Sequence, residues 1–177
     1  MTTKNRKILY KPEHDDGDLV GPTSYLSGSD MILLHPNGKV GLTGDGGLAI
    51  KLTNKTNVTS QVGWGVFSST SSDGGYELRA PGSTDIHDTI GFVHESVAAN
   101  QSGWVVVSGI ANVMVIGACK TGDWFAHSAQ PGRVTASVDP SGLGALDVAT
   151  HFNEIGHCLS TLPSGSNLLA KACIHFN

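Results

Sequence analysis

Apolar residues in this chain come in short runs rather than helical stripes. From Leu48 onward no window keeps them at helical spacing; runs rich in Val, Ile and Thr alternate with Gly, Ser and Asn clusters about every 8 to 12 residues. That spacing predicts an all-β fold, a small barrel or sandwich built of hairpins. A loose repeat runs through it. Val62-Gly63-Trp64-Gly65-Val66-Phe67 leads through Asp73-Gly74-Gly75 to Tyr76-Glu77-Leu78. Ile90-Gly91-Phe92-Val93-His94 leads through Asn100-Gln101-Ser102-Gly103 to Trp104-Val105-Val106-Val107. Ile155-Gly156-His157-Cys158-Leu159 leads through Ser164-Gly165-Ser166-Asn167 to Leu168-Leu169-Ala170. Three hairpins of one design are therefore expected to build most of the body, with Ile110 to Ile116 as a further strand.

In each unit a glycine follows the β-branched residue that opens the strand. A residue without Cβ permits a bulge or the close approach of a neighbouring strand, which small barrels use to turn corners. For the last hairpin, a tight turn centred between Gly165 and Ser166 pairs Cys158 with Cys173, Leu159 with Ala172, His157 with Ile174 and Ile155 with Phe176. The period of two then puts Ile155, Leu159, Ala172, Ile174 and Phe176 on a core face, and Ser160, Lys171, His175 and both cysteines on the other.

Residues 1–46 follow neither a period of 2 nor one of 3.6. They hold 5 of the 11 basic residues, an acidic run from Glu13 to Asp18, and isolated apolar residues. Such a segment is expected to lie as an extended arm on something else, with a small hairpin from Met31 to Leu42 turned by Asn37-Gly38. The expected division is an arm over 1–46 and a β-barrel domain over 47–177.

Composition sharpens this picture. Of 177 residues, 39% are hydrophobic, 15% are charged and 23 are glycine, against about 45–50% apolar and about 25% charged in ordinary domains, which suits a turn-rich β protein. A net charge of -4 provides no basic face for phosphates, so direct binding of nucleic acid is not expected. No apolar run reaches the roughly 18 residues of a spanning helix, and the N-terminus lacks a signal-peptide core. The expectation is a soluble protein made in the cytoplasm, with no membrane contact, whose three N-x-[ST] matches at Asn54, Asn57 and Asn100 carry no glycan. The three cysteines, Cys119, Cys158 and Cys173, have no close spacing and are read as reduced, mostly buried thiols.

Eight histidines invite a search for chemistry. Asp85 and His87 share a strand face, and His94 is the residue that would have to join them through a turn; a solvent-facing turn is the reading preferred over a metal site. His127, His151, His157 and His175 are scattered singly and are expected to be half-buried hydrogen-bonding residues. No G-x-S-x-G elbow is present, and Gly44-Asp45-Gly46-Gly47 lacks the helix and the Lys-Ser/Thr of a phosphate loop. Neither an enzyme nor a cofactor is expected.

One stretch carries a family likeness. Asp88-Thr89-Ile90-Gly91-Phe92-Val93-His94-Glu95-Ser96-Val97-Ala98-Ala99-Asn100, followed by Trp104 through Val113, resembles the "I-G-x-V" strand, acidic-apolar turn and "V-x-V-x-G-x-x-x-V" strand of small β-barrel virion proteins of tailed bacteriophages. Gly122-Asp123-Trp124-Phe125 through Pro131-Gly132-Arg133-Val134 is similar to their next element. His151-Phe152-Asn153-Glu154-Ile155-Gly156, with Ile174-His175-Phe176-Asn177, is similar to their closing hairpin. The likeness covers residues 48–177; the long arm departs from the pattern.

The resemblance implies a head decoration (cement) protein, a homotrimer seated on the major capsid protein at the outer surface of the virion. A tail or fibre component, acting as an adaptor or a receptor- or carbohydrate-binding module, is the alternative, with Trp64, Tyr76, Trp104 and Trp124 as its sugar platform; core packing is the role expected of the tryptophans. Under the decoration reading, the arm residues Leu9, Tyr10, Leu19, Val20, Tyr25 and Leu26 are the expected partner interface, buried against other chains.

Overall fold

The structure is a computed structural model and describes residues 25–26, 31–33, 38–71, 74–79, 89–137, 154–165 and 167–175. All regular elements among these residues are strands: β1 (Tyr25–Leu26), β2 (Met31–Leu33), β3 (Val40–Thr43), β4 (Gly47–Asn54), β5 (Gly65–Ser68), β6 (Gly75–Glu77), β7 (Gly91–Val93), β8 (Ser102–Ile116), β9 (Trp124–His127), β10 (Val134–Ser137), β11 (Gly156–Cys158) and β12 (Leu168–Ile174). The all-β expectation holds. The strands form one sheet in the order β1-β2-β3-β4-β6-β5-β7-β8-β10-β9-β11-β12, and two further pairings, β4 with β8 and β8 with β12, close it on itself twice.

Those closures make two five-strand barrels. The first is β4-β6-β5-β7-β8 and the second β8-β10-β9-β11-β12, so β8 is the last strand of one and the first of the other. Their wiring is the same. First and third strands pair in parallel (β4 with β6, β8 with β10), and the other four pairings in each ring are antiparallel.

Hydrogen bonds outside the ladders repeat as well. Gly63 N donates to Val93 O at 2.8 Å and Gly122 N to Cys158 O at 2.8 Å; Ile90 N donates to Val66 O at 2.9 Å and Ile155 N to Phe125 O at 3.0 Å. The isolated bridge Ser60–Val97 is matched by Cys119–Leu162. The described strands build one barrel pattern twice, fused through a shared strand.

This corrects the expected grouping of hairpins. The units from Ile90 and from Ile155 are indeed equivalent, being β7–β8 and β11–β12. The unit from Val62 is β5–β6, whose counterpart is β9–β10. Ile110 to Ile116 is not a separate strand but the second half of β8. A single strand can serve both barrels because it changes course at Gly109. That residue has φ +82°, and a Cβ there would lie 2.6 Å from Gly46 O, so only glycine fits without strain. Gly109 stands opposite Gly47 of β4 and Ile174 of β12.

The glycines that open β7 and β11 do allow close approach. A Cβ on Gly91 would sit 2.4 Å from Val106 O, and one on Gly156 2.4 Å from Cys173 O. Val106 and Cys173 are the equivalent cross-strand positions, so both barrels are tightened at one place by one device.

The barrel interiors are filled by different residues in the same frame. Val66, Tyr76, Val93, Val97 and Val105 are buried in the first, and Phe125, Val134, Cys158, Ala170 and Ala172 in the second. The bulky aromatic comes from the third strand in one case (Tyr76) and from the second strand in the other (Phe125), where the facing positions hold Val66 and Val134. Volume is thereby exchanged within the interior.

Buried polar groups differ in kind. Ser60 Oγ bonds Tyr76 OH at 2.7 Å. Burial pushes the Tyr76 phenol above its ordinary value, with the Ser60 bond working the other way. At the position of Ser60 the second barrel has Cys119, whose Sγ lies 3.2 Å from Cys158 Sγ. Burial, followed by the Cys158 contact, pushes the Cys119 thiol up to about 11. All three cysteines are free, two of them buried and Cys173 intermediate, as expected of reduced thiols.

The last hairpin is registered one residue away from the expected pairing. Gly156 faces Ile174, His157 faces Cys173 and Cys158 faces Ala172. Leu162 leaves the hairpin to bridge Cys119, so contacts outside the hairpin, and not a tight turn alone, set its register; Ser166 lies outside the described residues. The slip exchanges the faces of β11: Cys158 is buried and Leu159 exposed, the reverse of the expected assignment. Cys158 thus meets Cys119, while Cys173 shares the outer face with His157.

Before the first barrel, β3 pairs with β4, β2 with β3 and β1 with β2, all antiparallel. The β2–β3 pair joins the two runs expected to form a hairpin; Asn37 of its expected turn lies outside the described residues. One exposed ion pair, Lys171 Nζ to Asp45 Oδ1 at 2.7 Å, links the β3–β4 turn to β12, and such a pair is worth at most about 1 kcal/mol.

Candidate functional site

The expected partner-interface residues Leu9, Tyr10, Leu19 and Val20 lie outside the described residues. Tyr25 and Leu26 form β1, opposite Ile32 and Met31. Asp85 and His87 of the considered metal set also lie outside; His94 is described, and its backbone N donates to Trp104 O at 2.9 Å. Among the aromatics considered as a sugar platform, Trp64, Tyr76 and Trp104 are buried and Trp124 is half-buried, so the first three pack in the interior as expected of core residues.

Histidines taken singly in the sequence are not all single in space. His127 stacks on Phe67 with ring centroids 4.9 Å apart, and its Nε2 is hydrogen-bonded to the buried Thr89 hydroxyl, which fits a structural role. His157 and His175, by contrast, converge on Glu154. His157 Nε2 lies 2.8 Å and His175 Nε2 3.3 Å from the same oxygen, Glu154 Oε1. Their ring centroids are 5.1 Å apart, and Trp124 meets the His157 ring nearly edge-on at 6.2 Å. The Glu154 side chain is 1% exposed, the two imidazoles 41% and 38%. A buried carboxylate is costly without partners, and here two imidazole edges attend one oxygen at the protein surface.

Local backbone geometry builds this cluster. His157 faces Cys173 across the β11–β12 ladder, so His175, two residues on, comes to the same outer face. His175 N donates to Ile155 O at 3.4 Å, which holds its backbone beside Glu154. Between Ile155 and His157, Gly156 takes φ +145°, a conformation strained for any other residue, and this bend brings Glu154 and His157, three positions apart, to one point.

The first barrel supplies the control. By the ladder and turn correspondence, Glu154, His157 and His175 occupy the positions of Thr89, Phe92 and Ser108. The same ladder closes there without any of the three ionisable groups and without a positive φ at Gly91. The cluster is an addition to the duplicated fold, not a requirement of it. Sequence reading missed it because the likeness between Thr89-Ile90-Gly91-Phe92 and Glu154-Ile155-Gly156-His157 was read for its shared Ile-Gly alone. The two positions that differ between these tetrapeptides were the available signal.

No family model matches the chain, and no curated protein matches it. Among solved structures it is similar to "The crystal structure of head fiber gp8.5 N base in bacteriophage phi29", at 13% identity and a TM-score of 0.47 over 72% of this chain and 94% of that one. A likeness at this level says nothing of what this chain binds.

Proposed function

We propose that this chain is a structural protein of a tailed-bacteriophage virion that sits on the outside of the head as a decoration (cement) protein and catalyses no reaction. The sequence resemblance over residues 48–177 supports the family. The observation that carries the adhesive reading is the way the sheet continues beyond the first barrel. It runs through β3 and β2 to β1, where Tyr25 and Leu26 pair on one side only among the described residues. An outer strand edge of this kind accepts a further strand through main-chain hydrogen bonds, which suits an arm that meets a neighbouring subunit or the shell.

A decoration protein of this type works by mass action. It binds the mature lattice better than the immature one, and that difference stabilises the mature form. A homotrimer brings three equivalent contacts to the major capsid protein, so modest single contacts combine once geometry lets them engage together; a standard interface of about 1,600 Å² per contact suffices. The test is co-sedimentation of the purified chain, and of a chain lacking residues 1–30, with heads stripped of it. Saturable binding by the full chain, with occupancy lost in the truncated one, is expected. Undiminished occupancy after truncation removes the arm's part in the proposal. Binding confined to tails or fibres replaces the decoration reading with the fibre one.

A further inference from the structure

We propose that Glu154, His157 and His175 form a binding site for one divalent transition-metal ion of the zinc type, held by three protein ligands with at least one position left to solvent. Glu154 Oε1 and the two Nε2 atoms offer one ligand atom each, and all three lie within 4.8 Å of one another. Zinc takes imidazole nitrogen at about 2.0–2.1 Å and carboxylate oxygen at about 2.0–2.2 Å, so tetrahedral ligand atoms stand roughly 3.3 Å apart. The oxygen-to-nitrogen separations here are 2.8 and 3.3 Å, already close to that spacing, and the half-exposed imidazoles are the side chains that adjust when an ion enters.

Two imidazoles and one carboxylate form a borderline donor set. It suits zinc and its neighbours in the first transition row; calcium and magnesium ask for oxygen ligands throughout. The buried carboxylate supplies the negative charge, and the two half-exposed imidazoles leave the ion an entry path and an open side. Trp124, edge-on to His157, restrains one ligand ring.

The duplication separates this reading from a structural one. A carboxylate–imidazole pair needed to close the barrel would be needed twice, yet the first barrel closes with Thr89, Phe92 and Ser108 at these positions. What the second barrel adds is three donor atoms of complementary chemistry aimed at one point beside solvent. The inference is independent of where on a virion the chain sits.

The experiment is calorimetric titration of the full, chelator-dialysed chain with zinc chloride, paired with cobalt(II) absorption, which reads coordination geometry directly. One ion per chain and the d–d bands of a four- or five-coordinate cobalt site are expected. His157→Phe, which installs the residue of the first barrel, is expected to weaken binding by about 100-fold or more, beyond the roughly 10–100-fold that loss of an outer-shell partner causes. Glu154→Gln preserves the side-chain shape and serves as the second variant. His94→Ala, remote from the site, is expected to bind as the parent does. Absence of binding by the parent chain, equal affinity in His157→Phe and Glu154→Gln, or displacement of zinc by equimolar magnesium overturns the proposal.

Discussion

The two barrels share a strand, a wiring diagram and a set of matched turn hydrogen bonds, and they differ in what they do with polar residues. In the first, Ser60 bonds Tyr76 in the interior, and Thr89 reaches His127 of β9 in the second barrel. In the second, the place of Ser60 is taken by a thiol, and the place of Thr89 by a carboxylate that gathers two imidazoles at the surface. Common backbone with divergent side chains separates what both copies share from what one copy alone carries. Glycine at the opening of the fourth strand, the glycine-turned corner and the bridge that closes the loop occur in both copies. The Glu-His-His cluster belongs to the second copy alone.

The largest effect that can break this comparison concerns independence. If the shared strand makes one folding unit, emptying either interior must unfold both. Phe125→Ala removes the bulkiest side chain among those named for the second interior and is expected to cost about 3–5 kcal/mol. Urea transitions followed separately at Trp64 in the first barrel and Trp124 in the second are expected to shift together. Transitions that separate would make the barrels two units.

Next comes the tightening glycine. Gly156→Ala drives a Cβ to 2.4 Å from Cys173 O at φ +145° and is expected to cost about 2–4 kcal/mol. Gly91→Ala meets the same backbone atom in the first barrel without the positive φ, so its cost is expected to be smaller, read as a smaller drop in the urea midpoint.

The smallest effect is a pH dependence. Cys119 is an acid whose pKa is raised in the folded state from 9.0 to about 11. The folded chain holds the proton more tightly than the unfolded one, so this contribution is intact below pH 9 and is lost as pH rises from about 9 through about 11. Cys119→Ser, which copies Ser60, is expected to flatten the stability profile across that window. At pH 8 the half-buried Cys173 is expected to react with a maleimide well before Cys119 and Cys158.

Much of the strand content was legible in the sequence because it rests on local signals: short β-branched runs, glycine turns, and the glycine that admits a neighbouring strand. The duplication was half legible. Ile90-Gly91-Phe92-Val93 and Ile155-Gly156-His157-Cys158 do match. The partner of Val62 to Phe67, however, is Thr121 to Ala126, where Gly63 and Gly122 make the same turn through few shared residues. The closures rest on β4 with β8 and β8 with β12, where Gly47 and Ile174 both stand opposite Gly109, and they join residues far apart in sequence and leave no local pattern. The site depended on register. A slip of one residue places Ile174 rather than Cys173 opposite His157, and His175 then leaves its face.

The most direct measurement of the central claim puts first-barrel residues into the second. Glu154→Thr combined with His157→Phe removes a buried charge together with one of its partners, an exchange that is often neutral or stabilising when the replacement packs well. The account predicts an unfolding free energy within about 1 kcal/mol of the parent, with coincident Trp64 and Trp124 transitions and no zinc bound. A loss of about 3–5 kcal/mol, the size expected when a buried pair that supports the fold is broken, would contradict it and make the cluster a structural part of the barrel.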